Sequence, residues 1–249
     1  MTTATTITTT TIMLETPPGQ RISPAALQRL FAWLSPSFPV GAFSYSHGLE
    51  WAIEDGSVAT AADLVAWLGD VLRHGAGRND AILFAHAYAA AASDDIAALR
   101  NVAELAAAFQ PSKERRLEST AQGAAFMTAV NAAWPTPRLA TLTEALAGEM
   151  AVAYPVAVAV AAAAHDVPLG PALVAYLDAF SANIVSAGVR AIPIGQTDGQ
   201  RTTAALAPII EEIAASSLHA SLDDLGGAAI RADIASMKHE TQYTRLFRS

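Results

Sequence analysis

Helix punctuation recurs along most of this chain, and it restricts the fold to packed helices more strongly than any other feature. Ser23-Pro24 pairs an N-cap residue with a proline suited to a first turn, and Leu27, Leu30, Phe31 and Leu34 follow at i, i+3, i+4 and i+7. Thr60 and Asp63 have the spacing of a capping box. Behind them Leu64, Trp67, Leu68, Val71 and Leu72 form one apolar stripe, and Gly75 supplies a stop. Asn79 is expected to open a helix over residues 82–92, Ser93 one over 96–109, and Ser112 a long one reaching about Trp134. Thr136-Pro137, Pro155 and Pro171 start three more, the last reaching about Ala191. A loop over residues 192–199, a helix to about Leu218 and a last helix from about Gly226 complete the pattern.

Strand signals are poor. Val156 to Val160 alternates with alanine, but it lies in an Ala-rich stretch with no hairpin partner, and alanine favours helix and close helix approach. The expected fold is all-α, a single globular domain of roughly ten helices over residues 23–249. A polar, Thr-rich tail over residues 1–22 is expected to be disordered. The 249 residues are 52% hydrophobic and 15% charged, enough for a large core, and no composition shift marks an internal boundary. The start has no basic or long apolar segment, so no signal peptide is expected. The apolar run over residues 150–164 is too short for a bilayer, and the run over 172–189 is interrupted by Asp178 and Asn183. A soluble chain follows. A net charge of −8 argues against nucleic acid, which needs clustered Lys and Arg. With no cysteine, disulfides, thiolate catalysis and Cys-built metal sites are excluded, which fits a reducing cytoplasm.

The polar motifs offer little chemistry. Around Ser46 the sequence Ser44-Tyr45-Ser46-His47-Gly48 lacks the first glycine of a nucleophile elbow. A hydrolase using Ser46 and His47 is therefore a weaker reading than a short helix capped by Ser44 or Ser46, with Glu50 in its early turns. No Gly-Lys pair exists to build a P-loop, and the glycines at 195 and 199 read as a turn before a helix. The six histidines include no pair at i, i+3 or i+4, so no resident metal ligand is expected. His86 reads as a satisfied core histidine, and Met237 with His239 could touch a soft or borderline metal only transiently. Lys113, Glu114, Arg115, Arg116 and Glu118 read as a solvated, ion-paired helix face. The C-terminal residues differ, for Tyr243, Leu246 and Phe247 alternate with Arg245 and Arg248. From Arg231 onward four basic residues face two acidic ones. Aromatic residues and Arg are the types enriched at protein–protein hot spots.

Taken together, five segments resemble the signature segments of the urease accessory protein F (UreF) family. They are Phe38-Pro39-Val40-Gly41 through Ser46, Gly48-Leu49-Glu50, residues 113–123, residues 192–200 and residues 239–249. They occur in the right order between about Leu27 and Ser249. The resemblance implies an all-α, usually dimeric protein with no catalytic residues. It implies binding to urease accessory protein D (also called H), recruitment of the GTPase UreG and help in delivering nickel to apo-urease. No permanently bound cofactor is implied; nickel is handled transiently by the complex, and GTP is bound by the partner. Partner-binding residues follow from the matching segments: Phe38, Phe43, Tyr45, Ser46, His47 and Glu50 in the first, and Glu114, Arg115 and Arg116 in the next. Gln196, Gln200, His239, Tyr243, Arg245, Leu246, Phe247 and Arg248 complete the set. Tyr45 stands where many members carry His, with His47 two residues later, so a nickel-ligating loop histidine is not implied. The alternative is a GTPase-activating regulator in which Arg245 or Arg116 reaches the partner's nucleotide.

Overall fold

In the computed structural model, which describes residues 22–148 and 151–249, the chain forms eleven α-helices and, among the described residues, no strand. Helices α1 (Pro24–Trp33), α2 (Leu49–Glu54) and α3 (Ala61–His74) lead into α4 (Ala76–Ala92), α5 (Ile96–Ala108) and α6 (Lys113–Ala133). After α7 (Pro137–Ala145) and α8 (Tyr154–Ala164) come α9 (Leu169–Ala191), α10 (Gln196–Ser217) and α11 (Ile230–His239). The all-helical single domain expected from the punctuation is what forms. The Thr-rich tail lies outside the described residues except for Ile22.

Most caps act where their spacing puts them. Ser23 accepts from the Ala26 amide, Ser112 from Arg115 and Thr136 from Leu139, while Thr60 and Asp63 complete a reciprocal box. Four starts differ. Gly75 alone separates α3 from α4, so α4 begins at Ala76 and Asn79 lies inside it, buried, with Oδ1 accepting from the Gly226 amide at 3.2 Å. Asp95 rather than Ser93 caps α5, because the Ser93 hydroxyl bonds back to the Ala89 carbonyl. Helix α9 starts two residues before Pro171, and α10 starts at Gln196, which puts Gly199 in a helix rather than a loop.

Alanine decides how close the central helices come. Every residue of α8 from Pro155 to Ala164 is buried, packed between α4 and α6. Val156, Val158 and Val160 thus sit in a helix hydrophobic on all sides, as a fully enclosed one must be. Gly123 on α6 lets that helix pass close to the backbone entering α8, because a Cβ there would collide with the Val152 carbonyl oxygen. A second layer is formed by α3, α9 and α10. By length and composition α9 could cross a membrane, but 56% of its apolar window is buried inside the domain. In α1, Leu30 and Trp33 are buried, with Trp33 edge-on to Phe126 and Trp134, whereas Leu27 and Phe31 face outward. Helices α2 and α11 pair beside the start of α6, and this corner holds the polar groups.

Candidate functional site

The stretch before α2 is shaped by its backbone. A 3-10 turn over Ala42–Ser44 follows Gly41, and His47 and Gly48 then both take positive φ, 58° and 76°. Gly48 is required twice over. Left-handed backbone suits glycine, and a Cβ here would lie 2.6 Å from the Ser236 amide nitrogen on α11. Ser46 is fully buried; its amide donates to the Ser249 carbonyl at 2.7 Å and its hydroxyl to the same oxygen at 2.5 Å. The Arg248 amide donates to the Ser44 carbonyl at 2.7 Å. The last residues therefore run beside residues 44–46.

Two buried glutamates anchor that segment. Glu50, in the first turn of α2, accepts from the amides of Leu246 at 2.6 Å and Phe247 at 3.0 Å, and its Oε2 lies 3.1 Å from His239 Nε2. The other imidazole nitrogen faces Glu114 Oε2 at 2.6 Å, so His239 bridges two carboxylates. Glu114 also accepts from Arg245 at 2.8 Å. Glu118, one turn along α6, takes four donors: Arg115 at 2.6 Å, Ser249 Oγ at 2.5 Å, Gln122 at 3.0 Å and His47 Nε2 at 2.7 Å. Burial pushes the Glu118 carboxyl up, but Arg115, His47 and Ser249 outweigh it and hold the pKa down to about 2. Burial, with Arg115 second, lowers the His47 pKa. His47 Nε2 also lies 3.2 Å from Arg115 Nη1, so this one ring nitrogen faces both the guanidinium and the carboxylate. The N-terminus of α6 completes the corner, where Glu240 accepts from the Lys113 amide at 2.9 Å, favourable to the helix dipole.

The expected partner-binding residues divide by exposure. Phe38, Tyr45, Ser46, Glu50, Arg115, His239 and Phe247 are buried, Phe38 against Phe126 and Trp134 in the core. Glu114 and His47 are mostly covered. Phe43, Arg116, Tyr243, Arg245, Leu246 and Arg248 are exposed, Phe43 at 65% and Leu246 at 74%. Gln196 and Gln200 are exposed on the first turns of α10 and make no side-chain hydrogen bond to the network among the described residues. The solvated face expected of residues 113–123 is corrected: Arg115, Glu118 and Gln122 point inward and carry the network. Glu118 was legible as the i+3 partner of Arg115. Ser249 and Arg190 gave no local signal. The Arg190 guanidinium lies over the Phe43 ring at 3.6 Å and the Phe247 ring at 4.5 Å.

Beneath the loop lies a cleft of about 910 Å³ lined by Leu27, Phe31, Phe43 and Val174, with His47, Asp80, Arg115 and Glu118 also on its wall. Burial lifts the Asp80 carboxyl to about 6, although Arg115 and the Tyr176 hydroxyl, donating at 2.8 Å, pull the other way. Chemically the corner is a fastening. Ser46 gives its proton to a carbonyl and His47 faces a carboxylate, so the two do not form a nucleophile–base pair. His86 is satisfied at the Ala220 carbonyl, 3.0 Å away.

A protein-family model described as UreF matches residues 58–207. The chain is similar to a protein named urease accessory protein UreF from Rhodopseudomonas palustris (strain HaA2), 58% identical over 90% of this chain and 94% of the relative. Proteins of the same name from Bradyrhizobium sp. (strain ORS 278) and Xanthobacter autotrophicus (strain ATCC BAA-1158 / Py2) are each 55% identical. They align with 90% and 91% of this chain and 92% and 93% of their own lengths.

Proposed function

The chain belongs to the UreF family of urease accessory proteins, a family of accessory factors rather than enzymes, and from this premise we propose that it is the scaffold of a nickel-insertion complex. In this reading it bridges accessory protein D/H and the GTPase UreG in the cytoplasm so that apo-urease receives its nickel. One observation carries it: buried Glu50 and mostly covered Glu114 hold the C-terminal segment at Leu246 and Arg245 beside the opening loop, and Phe43, Tyr243 and Leu246 of these two segments are exposed. Exposed aromatic and arginine residues on a rigid base are what a hot spot needs. The buried members, Glu50, Glu118, Ser46 and His239, then serve by shaping the surface. Nickel is cargo that travels with the partners, because His47 and His239 are already engaged by carboxylates. Pairing of two copies over the apolar face of Leu27, Phe31 and Val174 would give the homodimer, which light scattering would detect.

Removing Tyr243–Ser249 tests the reading. Loss of co-purification with protein D/H and UreG, and of urease activation, is expected with helical circular dichroism unchanged. Normal assembly and activation by the truncated chain would refute it. A second reading, stimulation of UreG by an arginine, is favoured for Arg116 over Arg245, since Arg245 is tied to Glu114 while Arg116 is exposed. GTP turnover with Arg116→Ala separates it from pure scaffolding.

A further inference from the structure

Arg190 lies outside every segment that resembles the family signature, near the C-terminal end of α9. Its Nε donates to the Ser186 carbonyl of its own helix at 3.1 Å, and no carboxylate lies within 4.0 Å among the described residues. Its guanidinium is instead placed over two aromatic rings from distant parts of the chain, Phe43 of the opening loop and Phe247 of the C-terminal segment. One of those rings is largely exposed and the other is buried. A planar, weakly hydrated guanidinium stacks on ring faces in a way that a compact ammonium does not reproduce.

We infer that Arg190 is a positioning residue that fastens the tip of the opening loop to the C-terminal segment, making the two one docking surface for the partner. The inference rests on the scaffold reading above and deepens it. Glu50 holds the backbone of residues 246 and 247, but it does not reach the loop tip. The exposed Phe43 ring has Arg190 as its cation partner, and through Arg190 it is tied to Phe247. Without this bridge, Phe43 would sample rotamers in water, and a partner would bear the entropy of ordering it at each encounter.

Two variants of the full chain test this, Arg190→Lys, which keeps the charge, and Arg190→Met, which keeps an apolar stem. Hydrogen exchange is read at the amides of Leu246, Phe247 and Arg248, beside co-purification with protein D/H. Exchange at these three amides is expected to quicken by about tenfold in both variants. Amides of α4 and the melting temperature should stay unchanged, and partner capture should fall in both. Rescue by lysine of both readouts would overturn the inference, since a generic positive charge would then suffice. So would unchanged protection, or loosened amides with undiminished capture. Failure of the unmodified chain to capture protein D/H would instead refute the scaffold reading, and with it the docking role of Arg190.

Discussion

The α4–α8 contact and the corner formed by α2, α6 and the last ten residues are both nearly dry, yet they are held together by opposite means. In the first, valine and alanine side chains are buried on all sides and no charge is enclosed apart from Asp80 at the edge of the cleft. In the second, Glu50, Glu118, Arg115 and His239 are all at least nine-tenths buried, and each is matched by a specific donor or acceptor. Apolar packing is non-directional and degrades by degrees, whereas a buried ion network fails when one member is lost. The Ala-rich centre therefore contributes stability spread over many contacts, whereas the corner concentrates it in a few directional ones that also set the conformation of the exposed loop and C-terminal segment.

The sharpest challenge to this contrast is Glu118→Ala, which strands Arg115 and His47 without their carboxylate. A loss of about 3–5 kcal/mol is expected in denaturant unfolding. A loss under about 1 kcal/mol would show the corner to be hydrated and peripheral. Next is Gly123→Ala in the apolar centre. The added methyl meets the backbone between Val152 and Tyr154, and a loss of about 2–3 kcal/mol should appear in the same assay. If the alanine is accommodated without cost, the close approach of α6 to α8 is not a constraint.

The two buried carboxyls should also give opposite pH signatures. Glu118 has a folded pKa of about 2 against an ordinary 4.5, so its contribution is complete above pH 4.5 and is lost as pH falls toward 2. Asp80 has a folded pKa of about 6 against an ordinary 3.8, so its contribution is present below pH 3.8 and is lost as pH rises through 6. Asp80→Asn is thus expected to stabilise the fold at pH 7 by roughly 1–3 kcal/mol and to flatten its pH dependence between about 4 and 6. Destabilisation at pH 7 would mean that the charged form has a partner beyond Arg115 and Tyr176. Smaller still is Phe43→Ala, expected to change unfolding by about 0.5 kcal/mol or less because the ring is mostly exposed, while weakening partner capture. A large fall in stability with capture intact would place Phe43 in the core. A chelator should leave the melting temperature where it is, and a strong fall with EDTA would reveal a metal contribution to folding.

The two regions were unequally legible in the sequence for the same physical reason. A helix and its caps are local, so Ser23, Thr60 with Asp63, Ser112 and Thr136 announce themselves within four residues. The stripe Leu64, Trp67, Leu68, Val71 and Leu72 is buried as its spacing indicates. Asn79 and Ser93 misled because a capping residue type is also at home inside a helix when a distant group engages it or its hydroxyl bonds back. The corner depends on pairs nearly the whole chain apart. Nothing near residue 118 tells whether a Lys-Glu-Arg-Arg run faces water or receives a serine from residue 249. The resemblance to family segments marked much of that corner. It could not separate residues that line the surface, such as Tyr243, from those that brace it from behind, such as Glu50.

The bond between Ser46 and Ser249 joins residues 203 positions apart, and that between Glu50 and Phe247 joins residues 197 apart. Contacts of such span bear the largest loop-closure cost, so they gain most from waiting until intervening helices have brought their ends together. On a growing chain the residues around His47 emerge long before those that complete their surroundings. Throughout that interval Glu50 and Glu118 have no C-terminal segment to hold, and the loop lacks the support that fixes its shape. The surface is therefore completed only once residues 246–249 have been made, so a chain stalled or cut before them would hold a folded helical body with an unfinished face.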